Sequence, residues 1–190
     1  MFSLKKKYFL IVKSIKDIDL SNIKISNKFT VIYRNKKKID DIHELIRFRK
    51  LCKLKKIDFY VSNNFKLAVA SKADGIYISA NNTSLNYIRF KNANFKLIGS
   101  AHNIREISTK ILQGCSSIIF SRLFETRYAF KKGFLGTVKF NLLKNSCKER
   151  LIPLGGIRLS NLNKMKTVNC ISFAILSELK KKPAVISRLF

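Results

Sequence analysis

Short apolar runs punctuate the chain at Tyr8–Val12, Thr30–Tyr33, Phe59–Val61, Gly75–Ile78, Lys96–Gly99, Ser117–Phe120, Leu151–Leu154 and Cys170–Phe173. Each is the length of a strand and too short for a helix, so eight strands are predicted. Segments of helical period lie between several of them. From Asp40 onward Ile39, Ile42, Leu45, Ile46 and Cys52 follow i, i+3, i+4 spacing, which lays one helical face on a sheet. The best-marked helix spans Asn103–Gln113: Asn103 supplies the N-cap oxygen and Glu106 follows three residues on, as in a capping box. Ile104, Ile107 and Ile111 form its apolar stripe, and Gly114 is placed to end it.

Strands that alternate with helices call for βα units and a parallel sheet rather than hairpins. Eight such strands in 190 residues, of which 46% are hydrophobic, suit one α/β domain over residues 1–190, a single compact (β/α)8 TIM barrel. The competing doubly wound sheet wants a glycine-rich turn after the first strand, and Ser14–Leu20 contains no glycine. In a barrel, polar groups just behind the strands mark the active face. Three clusters stand there: Ser100-Ala101-His102, Phe124-Glu125-Thr126 and Gly155-Gly156-Ile157.

The formal charge of +28 attracts anions, and it would suit nucleic acid if it were gathered on one element. It is not. Lysine is scattered along the chain among many Ile and Asn residues, as a nucleotide bias toward A and T also produces, and the runs Lys36–Lys38, Lys55-Lys56 and Lys180–Lys182 are short. Nucleic acid is therefore not the expected partner. Lys5–Lys7 precede an apolar run that Lys13 interrupts long before a membrane span or signal core is reached, so a cytoplasmic protein is expected. Cys52, Cys115, Cys147 and Cys170 form no CxxC or Cys/His cluster, and reduced, mostly buried thiols follow.

Gly155-Gly156 after a strand can present bare backbone N–H groups to a phosphate, or can simply make a tight turn that needs positive φ. Ser172 and Ser177 are candidates to complete such a cup. Arg34 and Lys36 alternate on one strand, hence face the same way, and at a barrel mouth two cations bind a pyrophosphate through charge-assisted hydrogen bonds. His102 follows a strand at a helix start, where the helix field favours a neutral, proton-exchanging imidazole; it is the catalytic candidate, against a purely structural role. His43, beside Asp41 and Glu44, reads as a surface residue.

Several of these pieces fall in an order that resembles the thiamine phosphate synthase/TenI family. FYVSNNFKLAVASKADGIYIS (Phe59–Ser79) resembles its strand 3 to strand 4 block, through Leu67-Ala68-Val69-Ala70 and Ala73-Asp74-Gly75. VIYRNK (Val31–Lys36) resembles its "QLRxK", with Ile32 where glutamine is usual. IGSAHN (Ile98–Asn103) resembles its Ser-x-His turn, FSRLFET (Phe120–Thr126) its "xPVFxT" loop, and IPLGGIRLSN (Ile152–Asn161) its "xALGGIxxxN" turn.

The resemblance implies coupling of hydroxymethylpyrimidine diphosphate with a thiazole phosphate. Arg34, Lys36, Ser62, Asn63, Ser100, Thr126, Gly155 and Gly156 would then bind substrate or phosphate. Its TenI branch implies instead a thiazole tautomerase acting through a histidine that matches His102. A non-catalytic phosphate-ligand or RNA-binding relative is the third reading, and the oligomeric state is left open, a homodimer included. The family's acidic magnesium ligands fall at Ser62-Asn63 and near Asn82, all neutral here. Magnesium prefers carboxylates, so Mg2+ is not an assured cofactor and no metal ligand is assigned. Asp74 precedes its strand and belongs to the opposite, stability face. The family's lysine in "TxTK" is also missing unless Lys131 or Lys132 reaches in.

Overall fold

A computed structural model describes residues 7–23, 27–35, 39–91, 95–126 and 133–175. Eight parallel strands close into a barrel in chain order: β1 (Lys7–Val12), β2 (Phe29–Tyr33), β3 (Asp58–Ser62), β4 (Gly75–Ile78), β5 (Lys96–Ala101), β6 (Ser117–Ser121), β7 (Arg150–Leu154) and β8 (Ser172–Ile175). Pairing of β1 with β8, Tyr8 opposite Phe173, shuts the ring. The described α-helices are α1 (Ile42–Leu54), α2 (Phe65–Ala70), α3 (Ile88–Lys91), α4 (Ile104–Leu112) and α5 (Gly136–Asn145). The crossovers after β1 and β7 use 3-10 turns instead, Ile15–Asp17 with Leu20–Asn22 and Leu159–Lys166. The architecture is the expected (β/α)8 barrel.

Alternation along each strand divides the core in two. Phe9, Ile11, Ile32, Tyr60, Tyr77, Ile98, Ile119, Ile152 and Ala174 fill the barrel, while residues such as Leu10, Val31, Phe59, Ile76, Ile118 and Leu151 face the helices. Both faces of every strand are thus buried, which is why the strands read as unbroken apolar runs. At the amino ends of the strands Lys7 pairs with Asp58. Arg49 of α1 pairs with Asp74 at 2.6 Å, and Asp74 also accepts the Phe59 N–H at 2.7 Å, tying helix, β3 and β4 together on the face opposite the mouth, as expected for this residue.

Three readings of the pattern are corrected. The last strand starts at Ser172 rather than Cys170, whose N–H instead closes a turn onto the Val168 carbonyl. The apolar run continues through Ile175, so composition could not place its start. In α1 the buried face is Leu45, Phe48 and Cys52, whereas Ile39 lies outside the helix and is exposed. In α4 Asn103 is indeed the N-cap, but the Glu106 carboxylate bonds the His102 N–H and the Asn103 amide instead of the Asn103 N–H. Of its stripe only Ile107 is buried; Ile104 and Ile111 are exposed, and Lys110 takes a buried place.

Cys52, Cys115 and Cys170 are buried, Cys147 is half-buried, and all four are free. Burial pushes the Cys52 and Cys115 thiols up to about 12, so they stay protonated and inert. Among the described residues no helix is long and apolar enough to cross a membrane.

Interior packing leaves no slack at Gly75. A Cβ there would stand 2.2 Å from the Lys96 carbonyl and 2.4 Å from the Tyr60 ring. Gly75→Ala is therefore expected to cost about 1–3 kcal/mol, read as a lower urea midpoint. An unchanged midpoint would contradict the packing described.

Candidate active site at the barrel mouth

Two residues beyond each inward-facing core residue, the same strand face reaches the mouth. Ile32, Tyr60, Tyr77, Ile98, Ile119 and Ile152 are thus followed by Arg34, Ser62, Ser79, Ser100, Ser121 and Leu154. The Arg34 N–H extends the β1–β2 ladder to the Val12 carbonyl at 2.8 Å, which fixes where its side chain leaves the strand. Its guanidinium stands 5.9 Å from the Tyr77 ring centroid, a cation–π contact. The Tyr77 phenol is hydrogen-bonded to Ser100; burial raises its pKa, against the lowering pull of Ser100 and Arg34. Arg34, Tyr77 and Ser100 together make a polar floor over the apolar barrel.

His102 lies two residues past Ser100. Its ring is exposed, with Nδ1 2.8 Å from the Ser121 hydroxyl and 3.3 Å from the Ser121 carbonyl. When the hydroxyl donates to Nδ1, the imidazole proton sits on Nε2; when Nδ1 donates, Nε2 is an open acceptor. The pair can therefore take up or deliver a proton at Nε2. A cleft of about 800 Å3 between α4 and α5 is lined by His102 together with Phe120, Leu135 and Leu143.

On the β3–β4 side Asn63 and Asn82, where the resemblance implies metal carboxylates, meet each other. The Asn63 Oδ1 accepts the Ser79 N–H at 3.0 Å and the Asn82 amide at 3.3 Å, and the Asn63 amide donates to the Ser79 hydroxyl at 2.8 Å. Asn82 donates in addition to the Tyr87 hydroxyl at 3.1 Å, while its own Oδ1 accepts the Ser84 N–H at 3.1 Å. Tyr87 closes the network onto the Asn63 carbonyl at 2.8 Å. Asn63 holds φ +54°, a left-handed conformation that Asn tolerates well. The Asn63 Oδ1 thus already accepts two donors and the Asn82 Oδ1 one, and neither group carries the negative charge that a divalent cation prefers, so the pair as it stands is a poor fit for one.

The Gly155-Gly156 turn has φ +99° and +69°, and a Cβ on Gly156 would fall 2.5 Å from the Glu125 carbonyl. The tight-turn reason for glycine thus holds by itself. The carbonyls are occupied, Gly155 by the Phe124 N–H at 3.0 Å and Gly156 by the Asn161 amide at 2.7 Å, so the N–H groups are what this turn can offer an anion. Thr126 accepts from Arg122 at 3.2 Å, and Glu125 is exposed. Ser172 is a correction: it opens β8 at the opposite end, opposite Lys7, and cannot join a phosphate cup. Lys36, Lys131, Lys132 and Ser177 lie outside the described residues.

The structure adds Tyr77, Ser79, Tyr87 and Ser121 to the residues expected from sequence. A period of two counted from the inward-facing residues would have found all but Tyr87.

The thiamine monophosphate synthase family model matches residues 20–179. The chain belongs to this family. Among its relatives, a thiamine-phosphate synthase of Prochlorococcus marinus subsp. pastoris is 31% identical over 141 residues, 74% of this chain and 40% of that protein. One from Pelagibacter ubique is 25% identical over 164 residues, 84% of this chain and 78% of that one. This family member therefore spans about two fifths of the length of the Prochlorococcus protein. A thiamine phosphate pyrophosphorylase structure from Pyrococcus furiosus shares the fold, with TM-score 0.71 and 15% identity over 98% of this chain and 96% of that one.

Because the Gly156 clash is with backbone, Gly156→Ala is expected to lower stability by about 1–3 kcal/mol without any ligand present. A urea midpoint equal to wild type would leave phosphate contact as the better reason for this glycine.

Proposed function

We propose that this family member acts in the cytoplasm in thiamine biosynthesis, coupling hydroxymethylpyrimidine diphosphate with a thiazole phosphate. In that step the bond between the pyrimidine methylene carbon and the diphosphate oxygen breaks, its electron pair leaves with pyrophosphate, and the thiazole nitrogen lone pair forms the new carbon–nitrogen bond. The observation that carries the reading is the convergence of Arg34, the serine hydroxyls of β3 to β6 and the Gly155-Gly156 turn on one mouth. Negative charge develops on the departing diphosphate, so fixed cations and hydrogen-bond donors lower the barrier most. Arg34 supplies a guanidinium already held over Tyr77, and Lys36 is its proposed second cation. The amide pair Asn63–Asn82 favours a reaction that proceeds without magnesium.

The hydrogen bond between His102 and Ser121 favours a second reading, thiazole tautomerisation by proton transfer at Nε2. Product analysis with both precursors, in EDTA and in magnesium, decides between them. Coupling is expected in EDTA, with kcat/KM falling about a hundredfold in Arg34→Ala. Asn63→Asp is expected to make coupling respond to magnesium. His102→Ala should spare coupling, and its selective loss of tautomerisation would instead establish the second reading. Full magnesium dependence of the wild type would overturn the metal-free proposal, and absence of any turnover would assign the chain to non-catalytic phosphate binding.

A further inference from the structure

The least expected side chain in the molecule is Lys110. It lies in the last turn of α4, is fully buried, and has no carboxylate partner among the described ion pairs. Its aliphatic stem crosses β5 at Gly99, where a Cβ would stand only 2.8 Å from the lysine Cγ. From there the ammonium reaches the Asn82 carbonyl at 2.6 Å and the Gln113 side-chain oxygen at 2.9 Å. Gln113, also fully buried, donates to the same Asn82 carbonyl at 2.9 Å and to the Ser84 carbonyl at 2.8 Å. Lys110 and, about one turn on, the C-cap residue Gln113 thus grip the segment that follows β4.

A charged group here is costly, since its two hydrogen-bond acceptors are neutral, and burial draws its pKa down against the weaker raising pull of Cys115 and Glu106. Satisfying the Asn82 carbonyl does not require it, because Gln113 already donates there. What the ammonium adds is a positive charge directly behind Asn82, whose side chain stands at the mouth against Asn63 and Tyr87. A divalent ion at that place would both order the loop and attract an anionic ligand.

We propose that Lys110 is a positioning residue that replaces a divalent cation at the β4 side of the mouth, holding the Asn82–Ser84 loop from behind and giving the anion site a built-in positive charge. The inference rests on the metal-free reading of the mouth and names the group that makes it workable. Lys110 is not a catalytic residue, because Asn82 stands between it and any ligand.

Amide exchange on the ligand-free full chain tests it first. Lys110→Met keeps the stem and removes the ammonium, while Gly99→Ala pushes the stem aside from the strand below. Both are expected to speed exchange over residues 79–87 by about tenfold while β1 and β2 stay protected. Magnesium should leave wild-type exchange there unchanged. Calorimetry with inorganic pyrophosphate follows. Wild type should bind it equally well in EDTA and in magnesium, and Lys110→Met about tenfold more weakly. Unchanged exchange in Lys110→Met, slower wild-type exchange on adding magnesium, or a rise spread evenly over the barrel would each overturn the proposal. Loss of local protection with unchanged pyrophosphate affinity would also overturn it, leaving a structural lysine only. If wild type binds no pyrophosphate, the proposed function fails, and the exchange arm still decides the role of Lys110 in the loop.

Discussion

Closure of the parallel ring is the constraint on which the other features depend. Once β1 pairs with both β2 and β8, each strand has one face inside the barrel and one under the helices, and no strand can slip by one residue without exchanging the two. The inner face is filled at mid-height by Phe9, Ile32, Tyr60, Tyr77, Ile98, Ile119, Ile152 and Ala174. On each strand the next inward residue is then the first that can meet a ligand. The mouth therefore consists of few positions, and five of them, Arg34, Ser62, Ser79, Ser100 and Ser121, carry polar groups.

That same closure explains what sequence could and could not tell. Strand positions are legible to within one residue at their starts because doubly buried strands are continuous apolar runs, except at β8, where the run extends on both sides of the start and turn geometry decides. The barrel face of α4 was misread for a different reason. An apolar stripe at Ile104, Ile107 and Ile111 is a statement about side chains alone, whereas the groove that admits Lys110 is made by the missing Cβ of Gly99 on another element. The motif residues Arg34, Ser100, His102 and Gly155-Gly156 do gather at one end because each lies at or just past the carboxyl end of a strand. Ser121 escaped notice because its partner His102 is 19 residues away and only the β5–β6 pairing brings them together.

Charge is distributed with the same logic. The two described ion pairs, Lys7 with Asp58 and Arg49 with Asp74, sit at the amino ends of the strands and tie the structure away from the mouth. At the mouth end the carboxylates are tied to their own loops: Asp17 accepts the Lys13 and Ser14 N–H groups, Asp40 the Ser14 hydroxyl and the Ile15 N–H, and Glu106 the His102 N–H and the Asn103 amide, while Glu125 is exposed. An anionic ligand approaching Arg34 meets no opposing carboxylate on β3 or β4. The overall charge of +28 strengthens that field without being needed to aim it.

The facing amides Asn63 and Asn82 are a coupled arrangement rather than two separate residues. Two carboxylates that face each other repel unless a cation sits between them, so such a pair is organised only when loaded. An amide pair is organised when empty, because one member donates what the other accepts, as Asn82 does to Asn63. The network also extends outward through the Asn82 carbonyl to Gln113 and Lys110, so the groups that hold the loop come from the helix layer and not from a ligand. Preorganisation of this kind lowers the ordering cost of binding an anion, and it does so with groups encoded in the chain itself.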